Sequence, residues 1–129
     1  MDERANERPL VLVVDDLEDL RATLAAILKF SGFRVEVAEN GYEGIEKAGR
    51  LSPAVILLDL SMPGIDGFET ARRLRADDQT RAIPIIAVTA YDLETHRQKA
   101  KEAGFDSFLA KPVTPQKLYS EIWKFVAAS

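Results

Sequence analysis

Leu10-Val11-Leu12-Val13-Val14 runs straight into Asp15-Asp16, and that junction sets the interpretation of the whole chain. Five aliphatic residues in a row are far fewer than the roughly 20 needed to cross a bilayer, so the segment is expected to be buried inside a folded domain. A strand covered on both faces has this unbroken apolar character, whereas a strand with one wet face alternates. Four further runs follow, Arg34 to Ala38, Ala54 to Leu58, Ile83 to Val88, and Ser107 to Ala110. Longer segments of helical period separate them, and the alternation predicts five βα units around a parallel sheet, an α/β fold. Pro84 is compatible with the fourth run because a residue without an amide donor is tolerated at the first positions of a strand.

The intervening segments carry helix signals of their own. Leu17, Leu20, Leu24, Ile27 and Leu28 make one apolar stripe, and Gly32 is placed to end that helix in a left-handed cap. Asn40 with Glu43, and Asp66 with Glu69, have the spacing of N-terminal caps for the second and third helices, the second running from about Gly41 to Leu51. A fourth helix, Leu93 to Ala103, closes at Gly104, and a fifth carries Leu118, Ile122, Phe125 and Val126 on its inner stripe. Residues 1–8 are charged and read as a flexible tail, leaving residues 9–129 as one domain.

Composition narrows the chemistry. The chain of 129 residues has no cysteine and one histidine, His96, which removes thiolate catalysis and cysteine-held metals. A net charge of −4 gives no general attraction to nucleic acid or to anionic lipid, so direct contact with either is not expected. The basic cluster Arg72-Arg73-Leu74-Arg75 reads as a solvated helix face. The N-terminus lacks the apolar centre of a secretory signal, and a cytoplasmic location is expected.

In open α/β sheets ligands bind beyond the carboxyl ends of the strands, and here those positions form a pattern. Asp15-Asp16 follow the first strand, Asp59 the third, Thr89 the fourth, and Lys111-Pro112 the fifth. Three clustered carboxylates repel one another unless a cation neutralises them, which points to a hard divalent ion. Mg²⁺ suits such a site because it takes few protein oxygens and favours phosphoryl oxygens for its remaining positions, with Mn²⁺ as an alternative. Lys111 facing this cluster is a point charge for an incoming anion, Thr89 can donate a hydrogen bond to the same anion, and Asp59 is the natural nucleophile for an aspartyl phosphate. Each residue also has an ordinary structural explanation, since Asp caps helices, Thr favours strands and Lys–Pro marks turns. The joint occurrence at four strand ends is what favours the chemical reading.

The segments Val13-Val14-Asp15-Asp16, Leu57-Leu58-Asp59-Leu60-Ser61-Met62-Pro63-Gly64-Ile65-Asp66-Gly67, Val88-Thr89-Ala90 and Phe108-Leu109-Ala110-Lys111-Pro112 together resemble the receiver domains of two-component response regulators, especially the single-domain members. The resemblance covers nearly the whole chain. It implies a flavodoxin-like, doubly wound (βα)5 sandwich with a five-stranded parallel sheet of order 2-1-3-4-5, and phosphoryl transfer to Asp59 from a histidine kinase or a histidine phosphotransfer protein. It further implies that Asp16, Asp59 and the Ser61 carbonyl ligate Mg²⁺, with Asp15 acting through a water. Lys111, Thr89 and Ala90 would contact the phosphoryl group, and the Lys111–Pro112 bond would be cis. In family terms Thr89 and Phe108 form the switch. Many relatives have Tyr where this chain has Phe108, and Phe can rotate but cannot make the phenol's hydrogen bond. Ser61 and Tyr91 flank the site at positions that tune the lifetime of the phosphorylated state.

Tyr119 and Trp123, four residues apart and off the inner stripe of the last helix, are expected to form an exposed aromatic patch. It would offer a downstream effector, or a second copy in a weak homodimer, a docking face near the fourth helix, fifth strand and fifth helix. A receiver cut from a hybrid histidine kinase or a larger regulator is the alternative to a freestanding one. A phosphatase of similar fold is disfavoured because Ser61 stands where such enzymes commonly have a second Asp, and a flavin-binding module because Asp15 and Asp16 would repel the flavin phosphate. By this reading the chain assists only its own phosphorylation and dephosphorylation and is not an enzyme in the usual sense.

Overall fold

The computed structural model describes residues 8–90 and 92–126. Five strands, β1 (Leu10–Val14), β2 (Arg34–Ala38), β3 (Val55–Leu58), β4 (Ile85–Thr89) and β5 (Ser107–Ala110), alternate with five helices. The helices are α1 (Glu18–Phe30), α2 (Gly41–Leu51), α3 (Gly67–Ala76), α4 (Leu93–Ala103) and α5 (Pro115–Val126). All strand pairs are parallel, in the order β2-β1-β3-β4-β5. This is the doubly wound flavodoxin-like arrangement.

Side chains from alternate strand positions feed two cores, one on each face of the sheet. Val11, Val13, Leu57 and Val88 pack with Leu24, Leu28, Leu118 and Ile122 of α1 and α5. Leu12, Val14, Ile56 and Leu58 pack with Ala48, Phe68, Leu74 and Ala100 of α2, α3 and α4. Every residue of β1 from Val11 to Val14, and all of β3 and β4, is buried, which is why those runs carry no polar interruption.

The helix ends follow local chemistry. Asn40 Oδ1 accepts the Glu43 amide at 2.8 Å and Asp66 Oδ1 the Glu69 amide at 2.9 Å. Gly32 has φ 96°; its N–H donates to the Lys29 carbonyl and the Phe33 N–H to the Leu28 carbonyl, the paired bonds of a Schellman ending. Gly104, φ 110°, ends α4 in the same way.

Two strand boundaries differ from expectation. β4 begins at Ile85 rather than Ile83 and includes Thr89. β4 pairs on both sides, and Pro84, without an N–H, contributes only its carbonyl, which accepts the Ile56 amide. β3 begins at Val55, one residue later than expected.

Candidate functional site

The order 2-1-3-4-5 brings the carboxyl ends of β1, β3, β4 and β5 to one rim. Asp15 and Asp16 leave β1, Asp59 leaves β3, Thr89 is the last residue of β4, and Lys111 follows β5. Asp15 and Asp59 are almost fully buried, at 2% and 5% exposure, and Thr89 is fully buried. Asp15, Asp16 and Asp59 each offer a carboxylate oxygen, and these oxygens lie within 4.8 Å of one another.

Lys111 ties the rim together. Its Nζ donates to Asp15 Oδ2 at 2.9 Å and to Asp59 Oδ2 at 3.2 Å, with the lysine side chain only 12% exposed. Its backbone N–H donates to the Thr89 carbonyl at 2.9 Å, and the following Lys111–Pro112 peptide bond is cis. The other oxygen of Asp59, Oδ1, accepts the Ser61 amide at 3.2 Å, and Oδ1 of Asp15 accepts the Leu17 amide at 3.0 Å. One ammonium among three carboxylates leaves a negative excess, and Asp16 Oδ1 is buried with no hydrogen-bond partner. That donor set, all oxygen and undercompensated, fits a hard divalent cation.

Burial raises the Asp59 pKa above the ordinary carboxylate value. The Ser61 amide and the Lys111 ammonium pull it down, and neighbouring Asp15 pushes it up. Asp16 and Asp59 border a cleft of about 320 Å³ lined also by Leu17, Leu20, Ser61, Thr89, Ala90 and Lys111. The expected rim residues other than the buried Asp15 therefore share one opening, with exposed Ala90 and Ser61 at its edge. Tyr91 lies outside the described residues, as does the expected N-terminal tail except for Arg8.

Two contributors are not apparent from the pattern of strand ends. Gly67, at the start of α3, donates its N–H to the Leu60 carbonyl at 3.0 Å. A Cβ there would overlap the Asp59 backbone oxygen and lie 2.6 Å from Leu60 Cα, so glycine is what allows α3 to approach the Asp59 loop. Arg21 of α1 donates from Nη1 to the Asp15 carbonyl at 2.9 Å. The only signal for Gly67 in the sequence is its place at the end of the Asp59 segment, and for Arg21 there is none.

Phe108 of β5 is half-buried, with the Phe105 ring 6.5 Å away and the Arg97 guanidinium of α4 5.3 Å from its centroid. The aromatic pair on α5 departs from expectation. Tyr119 is 44% exposed, but Trp123 is half-buried against the α1 side core, and the two rings face Phe33 at 6.1 and 5.5 Å. Because α5 lies in the same layer as α1, the flank beside its inner stripe meets the α1–β2 corner. Of the pair, Tyr119 is exposed and Trp123 is not.

A doubly wound parallel sheet with three carboxylates and a lysine on its carboxyl rim is the arrangement of a signalling receiver domain. The chain belongs to the response regulator receiver domain family, whose model matches residues 11–123. It is 40% identical over 112 residues to Protein PilH of Pseudomonas aeruginosa, covering 87% of this chain and 93% of that protein. It is 38% identical over 112 residues to Response regulator PleD of Caulobacter vibrioides, covering 87% of this chain but 25% of PleD. Among solved structures it is similar to the receiver domain of a Pseudomonas aeruginosa sensor histidine kinase that holds a magnesium ion in its active-site cleft. That match has a TM-score of 0.87 and 30% identity, covering 93% of this chain and 98% of the other. The family is one of two-component signalling domains rather than of classical enzymes. Among the described residues no helix is long and apolar enough to cross a membrane.

Proposed function

We propose that Asp59 accepts a phosphoryl group from the phosphohistidine of a histidine kinase or a histidine phosphotransfer protein. The observation that carries this reading is the Lys111 ammonium held between Asp15 and Asp59 over an open cleft. A structural ion pair needs one carboxylate, whereas an anion-binding lysine beside a buried nucleophile needs this arrangement. In the transfer an Asp59 oxygen forms a bond to phosphorus as the donor's P–N bond breaks, the electron pair returning to the imidazole nitrogen. In discharge water attacks phosphorus as the P–O bond to Asp59 breaks, the electron pair returning to the carboxylate, and inorganic phosphate and a proton are released to solvent.

Asp16, Asp59 and the Ser61 carbonyl would hold Mg²⁺, or Mn²⁺, with Asp15 acting through a water. The cation supplies charge neutralisation for the phosphoryl oxygens as they approach the carboxylates. Lys111 exchanges its contact with Asp59 for one with a phosphoryl oxygen, and Thr89 and the Ala90 amide bind the others. Ser61 stands at the mouth of the cleft, where its size governs water access. Tyr91, which follows Ala90 in the sequence, would act with it.

The signal leaves through Thr89 and Phe108. Movement of Thr89 toward the phosphoryl group vacates space into which the half-buried Phe108 ring turns, changing the surface of α4, β5 and α5 that an effector protein reads. The occurrence of similar domains both as nearly a whole small protein and as a quarter of PleD supports two settings, a freestanding regulator or one segment of a longer one.

Intact mass after incubation with acetyl phosphate tests the reading. One added phosphoryl group is expected for the wild type with Mg²⁺, and none with EDTA or in Asp59→Ala. An adduct that persists in Asp59→Ala would reject Asp59 as the acceptor.

A further inference from the structure

Arg21 stands one turn into α1 with its side chain only 12% exposed, and its one recorded ion pair, to Glu39, is long. In that pair Glu39 Oε1 lies 4.0 Å from Nη2, and the glutamate is itself largely exposed. The other guanidinium nitrogen turns inward, Nη1 donating to the Asp15 backbone carbonyl at 2.9 Å. Taking a guanidinium out of water is costly, and one hydrogen bond to a neutral carbonyl with a long, solvent-exposed ion pair offsets little of that cost. Fold stability alone therefore does not account for the contact.

Asp15 is held at its other polar atoms as well. Its N–H donates to the Ala38 carbonyl at 3.1 Å, Oδ1 accepts the Leu17 amide, and Oδ2 accepts Lys111. The carbonyl that Arg21 grips belongs to the planar peptide unit joining Asp15 to Asp16. Fixing that plane fixes the N–Cα bond of Asp16 and so limits the directions in which its side chain can leave the backbone. Asp16 Oδ1 is the carboxylate oxygen left buried without a partner.

We propose that Arg21 is a positioning residue for cation binding: it locks the Asp15–Asp16 peptide so that Asp16 presents its carboxylate to Mg²⁺. The inference rests on the cation site assigned under the proposed function. Groups that orient metal ligands without touching the metal change affinity by about 10–100-fold when removed.

The test is an MgCl2 titration of the full chain followed by backbone amide chemical shifts, comparing wild type, Arg21→Ala, Arg21→Lys and Arg34→Ala. Arg34 is the control because its Nε also donates to a backbone carbonyl, that of Arg8 at 2.9 Å, but at the start of β2 on the opposite rim. Arg21→Ala is expected to weaken Mg²⁺ about tenfold or more, Arg21→Lys to fall between it and wild type through its single ammonium donor, and Arg34→Ala to match wild type. Spectra without Mg²⁺ identify any variant that does not fold, and if Arg21→Ala is one, Arg21→Lys decides. Arg21 variants within twofold of wild type would overturn this inference alone, and so would an equal loss in Arg34→Ala. A wild type with no saturable Mg²⁺ response would overturn the cation site and this inference together.

Discussion

Asp59 sits where its charge is penalised. Burial raises its pKa, Asp15 adds to the rise, and the Ser61 amide and Lys111 only partly offset it. The native state therefore holds the Asp59 proton more tightly than the unfolded chain does. The stability contributed by the protonated form is present below the ordinary carboxylate pKa of about 4, and it is lost as pH rises through the higher native pKa. Asp59→Asn removes the charge while keeping an oxygen to accept the Ser61 amide. In EDTA at pH 7 the variant should be more stable than wild type by on the order of 1 kcal/mol, with the gain shrinking as pH falls toward about 4. Urea denaturation across that range measures it, and a gain independent of pH would remove charge as its cause. The acidic pair, Asp59, Thr89 and Lys111 are legible in the sequence because each adjoins an apolar run. Gly67 and Arg21 are not, because their roles lie in contacts with the backbone of Leu60 and Asp15 that no local pattern encodes.

Elements show a similar division between what is local and what is not. Caps at Asn40 and Asp66 and endings at Gly32 and Gly104 are readable because each depends on a few neighbouring residues. The orientation of Trp123 is unreadable for the opposite reason, since it depends on α5 sharing a layer with α1. The cluster Arg72-Arg73-Leu74-Arg75 combines both cases within α3. Arg72 and Arg73 form the solvated face, pairing with Glu69 at 3.1 and 2.9 Å. Arg75 crosses the rim opposite the site, donating to the carbonyls of Gly104, Arg81 and Ile83 and to Asp106 Oδ2 at 2.7 Å. The same Asp106 oxygen accepts the Ile85 amide at 2.8 Å, so one side chain joins the ends of α3 and α4 to the starts of β4 and β5. Arg75→Ala should cost about 2–3 kcal/mol in urea denaturation, because two partly buried carbonyls, a third exposed one and a carboxylate lose their donor. Arg72→Ala should cost roughly 0.5 kcal/mol or less, as exposed pairs usually do. Equal losses in the two variants would contradict this division of α3.

At the scale of the molecule, the sheet separates two cores and concentrates its uncompensated charge at one rim. The fold carries Asp15, Asp16 and Asp59 with a single lysine among them, and this is an energetic burden in the absence of a cation. A cation that binds the native rim but not the unfolded chain removes the burden, and the gain in stability follows its concentration as RT ln(1 + [Mg²⁺]/Kd). At 100 times Kd the gain is about 2.7 kcal/mol, which for a domain of this size raises Tm by roughly 10 °C. Differential scanning calorimetry in MgCl2 against EDTA should show that rise in wild type. It should be largely lost in Asp16→Ala, whose unpartnered oxygen is the one most in need of the cation. NaCl at matched ionic strength screens charge without filling the rim, so it should raise Tm far less. If NaCl reproduced the effect of MgCl2, the rim would be answering to general screening, and the case for a cation held by Asp16 and Asp59 would fall.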